Sequence, residues 1–276
     1  MIIFKQSADL SNWLNKESAA GKSIGFVPTM GALHPGHISL ITMSKMQTDL
    51  SVCSIFINPT QFNDPKDFQK YPVTLEKDIL LLESAGADIL FLPAVSELYP
   101  SGTAYLEHYD LGRLETLLEG KYRPGHFQGV CQVMYRLLNV VRPNYLFMGQ
   151  KDYQQCMVVN RLLALMALNT ALIPCPIVRE PDGLAMSSRN LRLNPAQRTN
   201  AAAIYRALLL LKEKWRSSPR QTIEAAEAIL KKADFQIDYI SVADPTTLEP
   251  VEGGPGAVAL IAAFQGEIRL IDNMIL

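Results

Sequence analysis

The sequence predicts an α/β protein: a parallel sheet with flanking helices over the first two-thirds, then a smaller C-terminal α+β unit. Three observations carry that expectation. Short, near-continuous apolar runs alternate with helical stripes up to residue 178, as strands buried on both faces do between crossover helices. Beyond residue 178 the order becomes two helices followed by three strand-like runs, one after another. The length, 276 residues, points to about two domains. The expected division is 1–178 and 179–276.

In chain order, Ile24–Val27, Leu50–Ile57, Ala87–Leu92, Tyr145–Met148 and Leu172–Val178 read as strands. A helix should open near Pro35, because proline suits a first turn where no partner exists for its missing N–H. Val130, Val133, Met134, Leu137, Leu138 and Val141 make one apolar helical stripe. The last third reads as helices Pro195–Trp215 and Gln221–Lys232, then strands Ile237–Val242, Ala257–Phe264 and Ile268–Ile271, with a tight turn at Gln265-Gly266.

Composition narrows the function. The formal charge is −1, and residues 179–276 carry 12 basic and 12 acidic side chains, so no basic face is expected for nucleic acid or an anionic membrane. The longest apolar run, Ala257–Phe264, is far too short to span a bilayer, and Met1–Lys5 lacks a secretory n-region. Cys53, Cys131, Cys156 and Cys175 are scattered without a C-x-x-C pair, as reduced core thiols of a cytoplasmic protein would be. His108 has no chemical context and reads as a surface residue.

Ligands of open parallel sheets bind beyond the carboxyl ends of strands, so the loops after strands are the places to look. Two familiar patterns fall elsewhere. Gly21-Lys22-Ser23-Ile24-Gly25 matches G-x-S-x-G, but its strand follows the serine instead of preceding it. The same residues end like a P-loop, yet Lys16 stands where the first glycine belongs.

After the first predicted strand comes Val27-Pro28-Thr29-Met30-Gly31-Ala32-Leu33-His34-Pro35-Gly36-His37. A strand end, two glycines and a helix N-terminus form an anion site, and His34 and His37 stand at its entrance. Three further loops add polar groups at other strand ends. Asn58-Pro59-Thr60-Gln61-Phe62 offers neutral amides. Gly149-Gln150-Lys151-Asp152-Tyr153-Gln154-Gln155 opens a helix with a cation and a carboxylate. Arg179–Asn190 sets Ser187 and Ser188 beside Arg189, a combination suited to phosphate oxygens.

Together these segments resemble the pantoate–β-alanine ligase (pantothenate synthetase) family, whose core is a Rossmann-like nucleotidyltransferase domain with an H-x-G-H signature. The similarity also takes in Glu97-Leu98-Tyr99-Pro100 and Arg123-Pro124-Gly125-His126-Phe127, and runs weakly into Leu270-Ile271-Asp272-Asn273. It implies an ATP-dependent condensation of (R)-pantoate with β-alanine through a pantoyl adenylate, releasing AMP and diphosphate. By the resemblance, Met30, Gly31, Ala32, Leu33, His34, Pro35, Gly36 and His37 form the first ATP loop. Gly149, Gln150, Lys151 and Asp152 belong to the second, and Val178 meets adenine through its backbone. Met186, Ser187, Ser188 and Arg189 form a loop over the triphosphate. His37, His34 and Lys151 are the implied catalytic groups. Gln61 and Gln155 are implied for pantoate, and Gln61 also for β-alanine; Asn58, Arg123 and His126 match pocket positions.

Two departures stand out: Gln150 replaces a common Glu, and Val73 replaces a common Arg. No carboxylate cluster marks Mg²⁺ ligands, so the metal is expected to come with ATP, held by the phosphates. The resemblance further implies a cytoplasmic homodimer with residues 179–276 acting as a lid. Competing readings are another H-x-G-H nucleotidyltransferase, an aminoacyl-tRNA synthetase, and a non-catalytic adenine-nucleotide sensor. The uncharged Gln61 and Gln155 argue against a phosphorylated co-substrate, and the chain offers no tRNA-binding domain.

Overall fold

A computed structural model describes residues 1–62, 68–104, 106–253 and 256–276. Among these, six strands form one wholly parallel sheet: β1 (Ile2–Phe4), β2 (Ile24–Thr29), β3 (Leu50–Ile55), β4 (Ile89–Phe91), β5 (Tyr145–Gly149) and β6 (Ala171–Cys175). Their order is β1-β4-β3-β2-β5-β6. From β2 the chain winds to one side through β3 and β4, then returns to add β5 and β6 on the other. The switch therefore lies between β2 and β5, and the loops leaving their carboxyl ends diverge around a crevice.

Both faces of this sheet are apolar, as the uninterrupted runs predict. Parallel register places partnered residues on one face: Ile89, Val52, Phe26 and Leu146 line up across four strands and are all fully buried. Leu90, Cys53 and Val27 do the same on the other face. Helices α1 (Ser7–Ala19) and α6 (His126–Val141) cover the first layer, the latter with the whole stripe from Val130 to Val141. Helices α2 (Pro35–Gln47) and α3 (Leu75–Ser84) cover the second with Leu40, Ile41 and Leu82. Short helices α4 (Val95–Leu98) and α5 (Leu118–Tyr122) precede α6, and α7 (Tyr153–Leu165) follows β5.

The expected strands are all present, some shorter than expected and some longer: Leu50–Ile55 and Ile89–Phe91 are trimmed, while Ile24–Thr29, Phe235–Ala243 and Ile268–Ile275 extend. The run Leu172–Val178 is strand only as far as Cys175. Strand β1 was not foreseen: three residues are too few to show a period, and pairing with β4 alone makes them a strand.

The last third holds α8 (Pro195–Ala201), α9 (Ala203–Lys214) and α10 (Pro219–Lys232), then an antiparallel sheet of β7 (Phe235–Ala243), β8 (Val258–Gln265) and β9 (Ile268–Ile275). The single helix expected over Pro195–Trp215 is broken at Ala202, and nothing in the local sequence marks the break. The hairpin turn is Gly266-Glu267, one residue later than expected, with Gly266 at φ +61°. Strand β8 is apolar from Val258 to Phe264 because both its faces are covered. Ala259, Ile261 and Ala263 pack on α9 and α10, while Val258 and Leu260 meet Leu114, Leu117, Leu118 and Met157 of the first unit. The β7–β8 ladder carries a bulge between Ile237 and Tyr239, which leaves Asp238 without a ladder partner. No helix among the described residues is long and apolar enough to cross a membrane.

Candidate active site

The crevice at the switch point holds a cavity of about 210 Å³. It opens beside a larger cleft of about 730 Å³ between the first unit and β9, and Arg123, Lys151, Asp152, Ser187 and Arg189 line both. The loop after β2 contributes Met30, His34, Gly36 and His37 to the smaller cavity, and the loop after β5 contributes Gly149, Lys151, Asp152 and Gln155. Val178, Met186, Ser187, Ser188 and Arg189 close another side, and Gln61 enters from the turn after β3. Four loops far apart in sequence thus meet at one place.

The two imidazoles stack with ring centroids 4.0 Å apart. His37 Nδ1 accepts the His34 N–H at 3.3 Å, so its own proton belongs on Nε2. Burial, with Lys151 nearby, lowers His37 to about 4. Burial, then His37 and Lys151, lowers His34 to about 3, so both rings are neutral at pH 7. His34 Nδ1 is buried without a hydrogen-bond partner among the described residues.

The backbone of this loop is less available to an anion than its sequence suggests. Gly31 N–H donates to Thr29 Oγ1 at 3.2 Å. Ala32 and Leu33 N–H donate to the Asp78 carboxylate at 2.9 and 2.8 Å, and His37 N–H donates to the His34 carbonyl. Gly31, Ala32, Leu33 and Pro35 therefore do not line the cavity; they shape the turn, with Gly31 at φ +82° and Ala32 at φ +48°. The side chains that line the cavity beside this turn include His34, His37, Lys151 and Arg189. Gln150 also faces away. Its Nε2 donates to Asn273 Oδ1 at 3.2 Å, while Asn273 Nδ2 donates back to the Gln150 and Lys151 carbonyls.

Gly149 is open floor. A Cβ built there meets nothing within 4 Å, so packing does not require glycine, and its bareness keeps the cavity clear. Lys151 Nζ lies 3.8 Å from Asp152. The segment after β6 folds back on itself, with Met186 N–H donating to the Val178 carbonyl at 3.0 Å. Ser187 Oγ accepts the Arg189 N–H, and Ser188 Oγ pairs with Tyr71 Oη at 3.2 Å, so this loop rests against the first unit.

Gln61 is held from several sides. Its Oε1 accepts from Asn58 Nδ2 at 3.1 Å, and its Nε2 donates to Met30 Sδ. Buried Asn58 is fixed in turn by the Gly129 carbonyl at 2.9 Å and by Tyr99 Oη at 2.8 Å. A Cβ at Gly129 would meet the Thr60 carbonyl oxygen at 2.2 Å, so only glycine lets α6 approach this turn so closely. His126 donates from Nδ1 to the Gln61 carbonyl at 2.8 Å and accepts from Arg123 Nη1 on Nε2 at 2.9 Å. Burial, then Arg123, lowers His126 to about 3. The Gln155 side chain lines the cavity and makes no hydrogen bond among the described residues.

Asp78, Gly129 and Tyr99 shape the site although sequence reasoning passed over them as functional groups. Asp78 sits in the charged stretch Glu76-Lys77-Asp78, where nothing local separates a buried carboxylate from its solvated neighbours. The rejected patterns stay rejected: Ser23 precedes β2, and its hydroxyl donates to Asp49 at 2.7 Å. Val73 and His108 are exposed, and all four cysteines are free and buried.

A parallel sheet with a cavity at its switch point, paired imidazoles at a helix N-terminus and cations lining the same cavity is the arrangement expected of an α/β enzyme of the H-x-G-H type. Residues 2–275 match the family model described as pantoate-beta-alanine ligase. The pantothenate synthetase of Aquifex aeolicus is 41% identical over 99% of this chain and 98% of its own. That of Fervidobacterium nodosum is 44% identical over 95% of each. The crystal structure of pantothenate synthetase from Thermus thermophilus superposes with a TM-score of 0.92 at 40% identity, covering 99% of both chains. The pantoate-beta-alanine ligase of Francisella tularensis, complexed with beta-gamma ATP and beta-alanine, gives 0.84 at 37% identity, covering 100% of this chain and 97% of that one. This chain belongs to the pantoate–β-alanine ligase family.

Proposed function

We propose that the chain activates (R)-pantoate with ATP as pantoyl adenylate, then transfers the acyl group to β-alanine, giving pantothenate, AMP and diphosphate. The observation that carries this reading is one cavity lined by cations and neutral imidazoles together with the amides of Gln61 and Gln155 and an apolar face of α6. The pantoate carboxylate attacks the α-phosphorus; a new O–P bond forms while the Pα–O–Pβ bond breaks and its electron pair leaves with diphosphate. Lys151 and Arg189 meet the growing negative charge, and His34 and His37 add neutral N–H donors.

A cation against the nucleophile would quench it, whereas Gln61 and Gln155 orient it without doing so. Val130, Val133, Met134 and Leu137 of α6 line the same cavity and suit the geminal methyl groups of pantoate. The β-alanine amine then attacks the acyl carbon, Gln61 helping to orient it, and AMP departs.

Among the described residues no cluster of three or more His, Cys, Asp or Glu side chains could hold a metal ion, and Asp152 is the single carboxylate lining the smaller cavity. Those residues suit Mg²⁺ arriving on the nucleotide, held chiefly by phosphate oxygens. The reading includes residues 1–178 as the ATP- and pantoate-binding domain, 179–276 as a lid, and a cytoplasmic homodimer.

The test supplies ATP, Mg²⁺ and pantoate with and without β-alanine. Diphosphate–ATP exchange with pantoate alone, and AMP release needing both organic substrates, are expected. Nucleotide binding without turnover would instead make the chain a sensor.

A further inference from the structure

A line of hydrogen bonds, joined at one point by an ion pair, runs from the C-terminal sheet to the turn that carries Gln61. It begins at the β7 bulge, where Asp238 Oδ2 accepts from Arg269 Nε at 2.7 Å. Arg269 forks onto Glu119 of α5, with Nη1 to Oε2 at 2.7 Å and Nη2 to Oε1 at 2.8 Å, and Tyr239 Oη donates to the same carboxylate at 2.8 Å. Arg123 Nη1 lies 3.8 Å from Glu119 but only 2.9 Å from His126 Nε2. His126 then holds the Gln61 carbonyl at 2.8 Å. Glu119 is 7% exposed and His126 is 5% exposed, so the middle of this line is shielded from water.

Arg123 stands between two acceptors. Glu119 is a full negative charge and the stronger attraction; His126 Nε2 is a neutral lone pair. Arg269 and Tyr239 hold Glu119 with three hydrogen bonds and a full positive charge, so Arg123 meets it only as an ion pair at 3.8 Å and hydrogen-bonds His126 instead. We infer that Arg269 is a positioning residue for the pantoate site: by neutralising and hydrogen-bonding Glu119 it leaves Arg123 to brace His126, and His126 fixes the main chain of Gln61. The C-terminal sheet thereby sets the pantoate site without touching pantoate. This rests on the assignment of Gln61 to pantoate.

The prediction has a distinctive sign. In Arg269→Met, Glu119 is left buried and under-paired, Arg123 turns to it, and the brace on Gln61 is lost; the pantoate KM rises about tenfold, the scale of one charge-assisted bond. Adding Glu119→Gln removes the competing charge, returns Arg123 to His126, and brings the pantoate KM back to within about threefold of the parent. The ATP KM stays near the parent value in both. Arg269→Lys, which keeps the charge but loses the fork, falls between parent and Arg269→Met and carries the test if the methionine variant does not fold.

Pantoate and ATP titrations of AMP release on the full chain decide among the outcomes. A raised ATP KM that Glu119→Gln does not rescue would mean that Arg269, which also lines the larger cleft, meets nucleotide directly, and the inference fails. Loss of stability with an unchanged pantoate KM reduces the cluster to a structural tie and also overturns it. Parent turnover is measured first, so an inactive parent would indict the proposed reaction and not the relay.

Discussion

Asp78→Asn isolates the clamp behind the histidine loop. The carboxylate is 1% exposed and accepts from Ala32 N–H at 2.9 Å, Leu33 N–H at 2.8 Å and Thr74 Oγ1 at 3.0 Å. An amide of the same shape keeps one acceptor oxygen and turns an NH₂ group toward the other donor. One N–H of a pair that is 4% and 6% exposed then loses its partner. The structure is expected to lose about 2–3 kcal/mol, the range for a buried hydrogen bond to a charged group. For a chain of this size that lowers Tm by about 4–12 °C.

The catalytic effect should be larger than the stability effect. Gly31 and Ala32 lie in left-handed conformations that the clamp holds, and an alanine there costs about 1–2 kcal/mol. Without the clamp the turn relaxes and shifts His34 and His37; a displacement near 1 Å costs about 100-fold in kcat. Gln155 stands on another element, and Gln61 keeps its bonds to Asn58 and His126 even if Met30 moves, so the pantoate KM should stay within about threefold of the parent. Calorimetry and diphosphate release at saturating substrate measure the two effects. A lowered Tm with parental kcat would falsify the positioning role; a parental Tm would refute the buried bond itself.

Three further outcomes are expected. Unfolded histidines titrate near 6.5, whereas His34, His37 and His126 are held at about 3, 4 and 3 by burial; as pH falls the unfolded chain takes up protons first. Stability is therefore full above about pH 6.5 and declines from there toward pH 4, and urea midpoints should show His126→Asn with a shallower decline. An equal slope in that variant would remove His126 from the account. His37→Ala should cut diphosphate release about 100- to 1000-fold while leaving the urea midpoint close to the parent, and wild-type turnover would end its phosphate role. Gly129→Ala should push the 59–61 turn off α6, raising the pantoate KM and costing about 1–3 kcal/mol; unchanged kinetics would show that the close approach is dispensable.

Much of the fold was legible because its signals are local. Continuous apolar runs marked the central strands, and the Val130–Val141 stripe gave α6 its face. What failed was either too short or not local. Three residues cannot declare a period, so β1 waited for β4; Ala201–Ala203 carries no breaker, yet the helix parts there. In the site, loop membership was legible and orientation was not. Gln150 and Gln155 are glutamines of one short segment, the first before α7 and the second in its first turn, but Asn273 draws the first away while the second lines the cavity.

Local chemistry in the sequence determined the strand–helix order and the four polar loops, because propensity and periodicity act over a few residues. It also determined the family, because the motifs keep their identity and order. Tertiary structure alone decided which loops meet, since the β2/β5 switch point depends on strand order. It decided that Asp78 and not a phosphate takes the Ala32 and Leu33 N–H groups, and that burial keeps His34, His37 and His126 neutral. It also brought Arg269 to Glu119 across 150 residues. Desolvation and the choice between competing partners depend on what surrounds a group in space, and no stretch of sequence contains that.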